Sequence, residues 1–165
     1  MLEKTSDNNT REVYSFIEKV RNNQKINIKE FRKVMPIVQE MFVNHEKSMV
    51  GKQFDDHNPL EHSFGDGLYI RKIFMPAGQL MVTKIHKKKH PYFVLKGECD
   101  VVSEDGTQKV KGPYNGITLP GTQRLIYVRE DTIWITVHAT DKTDLKEIEE
   151  EVIAKDFSDP LLKLK

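Results

Sequence analysis

Apolar residues change their spacing once along this chain. Val13, Phe16, Ile17 and Val20 recur at helical intervals and predict a helix over residues 10–23 with Thr10 as N-cap, ended by Asn22-Asn23-Gln24. A second helix is expected from Asn27, where Glu30 completes a capping-box pattern and Phe31, Val34, Val38, Met41 and Phe42 form one stripe. Pro36 lies inside that stripe and predicts a kink or a boundary near residues 35 and 36, because proline removes a backbone donor and clashes with the preceding turn. The segment GKQFDDHNP, residues 51–59, is polar and rich in turn formers and reads as a connection. Beyond it the pattern alternates: LYIRKIFM, LMVTKIH, PYFVLKG, CDVVS, TQKVKG, GITLP, RLIYV and TIWITVH are short strands. Tight turns separate them, with Asp105-Gly106 expected in a two-residue hairpin and Pro76-Ala77-Gly78 and Pro120-Gly121 at abrupt corners. Residues 141–154 return to helix, capped by Asp141 or Thr143, with Leu145, Ile148, Val152 and Ile153 on one face; the tail after Asp156 is expected to be loosely held.

The organisation that follows is mainly β: a helical segment over residues 1–52, a β-sandwich or closed barrel over 60–140, and a helix with tail over 141–165. A chain of 165 residues supports one core with an appendage. Its 26 Lys+Arg against 25 Asp+Glu leave a formal charge of +1, so no global field draws it to nucleic acid or a membrane surface. The single Cys99 cannot form an internal disulfide, and MLEKTSDNNT has no basic start followed by an apolar run, so a cytoplasmic location is expected. No window approaches the apolar length of a membrane helix.

Two glycine-bounded stretches carry a resemblance to the cupin superfamily. Its first motif runs Gly, five residues, His-x-His, three or four residues, Glu, six residues, Gly. Gly78 and Gly97 bracket a similar region, and counting back from Gly97 through KIHKKKHPYFVLKGE puts His90 at the glutamate position, His86 at the second histidine and Lys84 at the first. The second motif, Gly, five residues, Pro-x-Gly, two residues, His, resembles GPYNGITLPGTQRLIYV, with Arg124 where the histidine stands. The resemblance covers about residues 62–139 and implies a cupin-type double-stranded β-helix (jelly-roll) barrel whose usual metal ligands are depleted. HSFGDGLYIRKIFMPAG, the spaced His86 and His90, and PGTQRLIYVREDTIWITVH before an acidic helix are also similar to small cupin-like proteins of bacteriophage and prophage genomes, which would place the chain in a host cytoplasm.

Candidate chemistry concentrates between residues 69 and 138. A mononuclear metal site needs three or four imidazoles or carboxylates converging with one position left open. His86 and His90 supply two, His138 a third if the face it shares with Trp134 and Thr136 turns inward, and His62 is a weaker candidate. The lysines Lys87, Lys88 and Lys89 between His86 and His90 argue against a bound cation. With Lys84, Arg71 and Arg124 they predict instead a cationic barrel mouth for a small anionic ligand, Tyr69, Tyr92 and Trp134 being able to stack on a ring. The ordinary alternative makes the lysines a solvated turn and Arg124 a surface residue beside Glu130. Phe74, Phe93, Trp134 and Tyr127 read first as core, and Cys99 as a small buried residue. Gly-rich phosphate loops, zinc-finger spacings and a Ser-His-Asp order are absent from the sequence.

The helical stripes are expected to pack on the barrel or on each other; an exposed stripe would instead make a homodimer or a protein-docking face. A helix-turn-helix reading of NNQKIN fails for want of a turn glycine and of basic residues opening the second helix. The leading expectation is therefore a cupin-like module binding an anionic or nucleotide-like ligand, with a phage role against a host process as one outcome. The alternatives are a metal-dependent enzyme using His86, His90 and His138 with a divalent cofactor, and a scaffold acting through its N-terminal helices.

Overall fold

The computed structural model describes residues 2–162, with side chains from residue 8 onward; residues 163–165 of the expected tail lie outside the described residues. Helices α1 (Leu2–Arg21) and α2 (Ile28–Val43) lead into a short α3 (Lys52–His57). Ten strands follow: β1 (Leu60–Gly65), β2 (Leu68–Met75), β3 (Leu80–Val82), β4 (Ile85–His86), β5 (His90–Lys96), β6 (Glu98–Ser103), β7 (Gly106–Lys111), β8 (Tyr114–Thr118), β9 (Leu125–Val128) and β10 (Thr132–Ala139). Helix α4 (Leu145–Val152), strand β11 (Ile153–Ala154) and a 3₁₀ turn at Pro160–Leu162 complete the described chain.

The strand pairing identifies the architecture. Antiparallel pairs nest from the outside in, β2 with β10, β3 with β9, β5 with β8 and β6 with β7, and successive pairs fall alternately in two sheets. One sheet has the order β1-β2-β10-β5-β8 and the other β3-β9-β6-β7. A long two-stranded ribbon wound on itself in this way is a jelly roll, the cupin-type double-stranded β-helix expected from the motifs. Alternation on each strand turns Ile73, Met75, Tyr92, Val94 and Trp134 inward from the first sheet, to meet Cys99, Val101, Val110, Ile126 and Val128 of the second. Gly97, at φ 90°, turns the chain from β5 to β6 where an added Cβ would lie 2.7 Å from the Thr132 backbone.

The helices form an outer layer on the second sheet. Val13, Phe16, Ile26, Phe31, Val34, Met35 and Val38 bury against one another and against Val102, with Val82 and Leu125 at the margin. The stripes therefore face the barrel, and the exposed helical dimer face envisaged above is not formed by these residues. Helix α1 starts before Thr10, which lies within it, and α2 passes through Pro36 as one assigned helix. Buried residues on both sides of Pro36 hold the two halves in one groove, offsetting a cost of about 3 kcal/mol for an interior proline. Asn27 caps α2 through Lys29 N at 2.8 Å, but Glu30 forgoes the capping box for an ion pair with Lys19 at 2.6 Å.

Other expectations are corrected locally. The polar connection 51–59 contains α3, and β1 and β11 add strands that alternation did not reveal. Ser103 pairs with Gly106, so Glu104 and Asp105 form the hairpin turn. Asp144, accepting from Lys146 N and Glu147 N at 3.0 Å, caps α4 in place of Asp141 or Thr143. The described part of the tail is docked: Leu162 packs with Ile85 and Ala154, beside Phe157. Tyr127 and Phe93 are exposed and Phe74 is half-buried, so of the four aromatic residues expected in the core only Trp134 is there.

Candidate metal centre

The inner face of the first sheet becomes polar towards one end of the barrel. Thr136 and His138 on β10 stand opposite Arg71 and Tyr69 on β2, while His90 and Tyr92 on β5 stand opposite Thr118 and Gly116 on β8. Strand β4 brings His86 to the same place. Its backbone is held on one side by the turn at Pro120-Gly121-Thr122, through Gly121 N to His86 O at 2.7 Å and His86 N to Thr122 O at 3.3 Å. On the other side β11 pairs Ile153 with His86, and Lys87 N donates to Val152 O at 2.7 Å.

His86, His90 and His138 converge there, each offering a ring nitrogen within 4.8 Å of the others. Ring centroids lie 4.4 Å apart for His86 and His90, 4.2 Å for His90 and His138, and 5.8 Å for His86 and His138. His90 and His138 are only 2% and 4% exposed. Each ring leaves one buried nitrogen without a hydrogen-bond partner: Nδ1 of His86, Nε2 of His90 and Nδ1 of His138. Leaving a buried polar atom unsatisfied costs about 1–3 kcal/mol. One such atom on each of three converging rings fits a shared partner that accepts lone pairs.

On His90 and His138 the opposite ring nitrogen is anchored as in metal-binding imidazoles generally. His90 Nδ1 donates to Lys88 O at 3.0 Å, which fixes its lone pair on Nε2. His138 Nε2 pairs with Thr136 Oγ1 at 3.2 Å, leaving Nδ1 to carry the free lone pair once Nε2 holds the proton. Burial keeps the rings neutral. It pushes His86 down to about 2, reinforced by His90, His138, Arg124 and Arg71, and His138 to about 4, reinforced by His90, Arg71 and Lys88. Burial also lowers His90, opposed in part by its bond to the Lys88 carbonyl. Neutral imidazoles are the form that binds a metal, so the donor set fits a divalent first-row ion, and three protein ligands leave positions open.

Two arginines border the cluster. Arg124 Nη2 donates to Thr118 Oγ1 at 3.1 Å, and its guanidinium lies 5.0 Å from the centroid of Tyr92, itself stacked on Trp134 at 4.8 Å. Gly116 makes room for this arrangement, since a Cβ there would come within 2.6 Å of Tyr92 Oη. Arg71 projects from β2 beside Tyr69. Burial lowers both arginines from the usual guanidinium range, and the acidic groups that act on them, Asp55 and Glu149 on Arg71 and Asp105 on Arg124, do so through space without an ion pair among the described residues. Thr118 and Gly116 carried no signal in the sequence, because their part depends on cross-strand register.

The lysine run occupies another place. Lys84 pairs with Glu149, Lys88 with Glu151, and Lys87 reaches Glu150 O at 2.9 Å and Asp159 at 3.5 Å. These side chains tie the β4–β5 turn to α4, so the cationic mouth is reduced to Arg71 and Arg124, and Lys84 stands apart from it. Arg124 is inside the barrel and not beside Glu130. His62 is exposed and bonds Tyr69 Oη at 2.8 Å, outside the cluster of three. Tyr69 stacks on His138 at 5.9 Å.

No family model matches the chain, and no curated protein matches it in sequence. Solved structures do resemble it. The dimethylsulfoniopropionate (DMSP) lyase DddQ of Ruegeria pomeroyi gives a TM-score of 0.48 at 17% identity, over 61% of this chain and 56% of the lyase, so the chain spans little more than half of that protein's length. The Cnp3 cupin domain of Schizosaccharomyces pombe gives 0.43 at 20% identity, over 56% of this chain and 68% of that domain. An RmlC-like cupin family protein with a double-stranded β-helix fold from Methanocaldococcus jannaschii gives 0.43 at 20% identity, over 58% of this chain and 91% of that protein. The nested strand pairing stands on its own: this chain is a cupin-type double-stranded β-helix with three histidines gathered at one end of the barrel.

Proposed function

We propose that the protein is a metal-dependent cupin that binds one divalent ion through His86, His90 and His138 and presents it to a small anionic substrate. The observation that carries this reading is the convergence of three imidazoles, each with a buried ring nitrogen left without a partner. A bound first-row metal would supply Lewis acidity at its open positions. The chain's own contribution is orientation: Lys88 O and Thr136 hold two of the rings, and Arg124 and Arg71 offer donor forks to a carboxylate or phosphate. Tyr92, with its pKa raised by burial, stays a neutral hydroxyl that can donate to the same ligand. If the chain is phage-encoded, as its sequence resemblance implies, the substrate would be a host metabolite.

Elemental analysis of protein purified without a histidine tag or chelator tests the proposal. Near one Fe, Mn, Ni or Zn per chain is expected, falling to background in His86→Ala/His90→Ala/His138→Ala. Metal below a tenth of stoichiometry after incubation with each ion would reject it. A second reading, anion binding without metal, is favoured by the two half-buried arginines, Arg71 and Arg124, that have no ion pair among the described residues. Under that reading chelated protein still binds anions and Arg124→Ala abolishes binding.

A further inference from the structure

Of the three converging imidazoles, His86 is held differently. Lys88 O and Thr136 fix the rings of His90 and His138, whereas the His86 ring makes no hydrogen bond among the described residues. It stands on β4, a strand of two residues, so its place in the cluster is inherited from the main chain. One support of that main chain is the turn between β8 and β9. Gly121 N donates to His86 O at 2.7 Å and His86 N to Thr122 O at 3.3 Å. The same turn ends in Arg124, whose N–H donates to Thr83 Oγ1 at 2.9 Å and whose guanidinium reaches Thr118.

The turn is also gripped by helix α2. Arg32 and Gln39 are seven residues apart and therefore share one helical face. Gln39 Oε1 accepts from Gln123 Nε2 at 3.3 Å. Arg32 Nη2 lies 2.6 Å from the point a Cβ on Gly121 would occupy, and Gly121 has φ 83°, so glycine there serves both the left-handed turn and the approach of the guanidinium. Arg32 is itself fixed. Its Nε donates to Glu104 Oε2 at 3.4 Å, its guanidinium carbon lies 5.0 Å from the centroid of Phe157, and its side chain is only 13% exposed. A cation so far removed from water depends on its partners for its position. These come from the β6–β7 hairpin and from the segment after β11, and the guanidinium they hold is pressed against the turn that carries His86.

We infer that Arg32 is a positioning residue for the candidate metal centre: from α2 it braces the β8–β9 turn and through it places His86 and Arg124. Its consequence for metal binding rests on the proposed metal site. Supports behind a metal ligand are worth about 10–100-fold in affinity, and an arginine acting through a backbone turn belongs at the lower end of that range.

Titration of the metal-stripped full chain with Co²⁺, followed by its visible ligand-field bands, tests the inference. Arg32→Ala is expected to weaken Co²⁺ about tenfold and to shift the bands, and millimolar guanidinium chloride, filling the vacated place, is expected to restore both. Val13→Ala opens a cavity in the same helical layer and is expected to lower the urea midpoint while affinity and bands stay as in the parent. Parent affinity and bands in Arg32→Ala overturn the inference, as does equal weakening by Val13→Ala. A parent that takes up no Co²⁺ rejects the metal reading instead, and the brace is then read from amide exchange at Gly121, whose N–H donates to His86 O. Faster exchange in Arg32→Ala than in Val13→Ala upholds it; equal exchange overturns it. Should Arg32→Ala misfold, Glu104→Gln, which keeps the guanidinium and removes its ion pair, is read in its place, with the same direction expected and the same results overturning it.

Discussion

Three histidines form the candidate site, and neighbours fix the rings of two of them, His90 and His138. Their neutrality has a measurable cost. In the unfolded chain histidine titrates near 6.5, whereas in the fold His138 waits until about 4 and His86 until about 2. Between those values the unfolded state binds more protons, so the stability of the metal-free protein falls as pH drops below 6.5. Each unit is worth about 1.4 kcal/mol per group. Urea midpoints in chelator are thus expected to fall from pH 7 to pH 5, and His86→Gln/His138→Gln is expected to flatten the slope; equal slopes in parent and variant would show that other groups carry it. The sequence offers the three histidines as a metal set on condition that the face of His138 turns inward, and nothing in the spacing alone meets that condition. A four-residue separation suits a helix, and only the β4–β5 turn, with β10 alongside, makes it suit a barrel. The lysines between His86 and His90 obscured this further, because the acids that pair with them lie some sixty residues later on α4.

At the level of elements, strong local signals survived and weak ones were decided by contacts. The eight strands of the jelly roll follow the alternating segments closely, since each buries one face. α3 and β11 are too short for periodicity to register; β11 exists only because β4 offers it an edge. The end of α4 was misplaced because several acids and hydroxyls precede it, and the backbone chose Asp144. That cap is a point of control. Asp144→Ala removes two hydrogen bonds and should cost about 1 kcal/mol. Because α4 anchors the lysine turn, the substitution is also expected to increase amide exchange at Lys87, whose N–H donates to Val152 O, more than at Val94 in the core. Equal exchange at both would separate α4 from the site.

On the scale of the molecule, the helical layer packs on the barrel through Val102, Val82 and Leu125, and the two are expected to unfold as one cooperative unit. Trp134 is the single tryptophan and sits in the barrel core, while most helical signal comes from α1 and α2. Fluorescence and circular dichroism at 222 nm should give coincident unfolding curves. Phe31, fully buried between α1 and the sheet, is the place to probe the coupling: Phe31→Ala should lower both midpoints together, with a loss of about 3–5 kcal/mol. Separate transitions would show that the layer is merely appended. The resemblance to cupins conveyed the architecture and the turns, whose spacing the winding of the ribbon requires. It conveyed only part of the site: its motifs place ligands at Lys84, His86, His90 and Arg124, and the structure gathers His86 and His90 with His138 of β10.

The clamp on His86 also has a temporal side. That strand has β11 as its partner, and residues 153 and 154 leave the ribosome long after His86 and His90 have emerged. His138, too, follows His90 by nearly fifty residues. A nascent chain therefore exposes two histidines before the elements that position them, and under the proposed metal reading capture would wait until synthesis has passed residue 154.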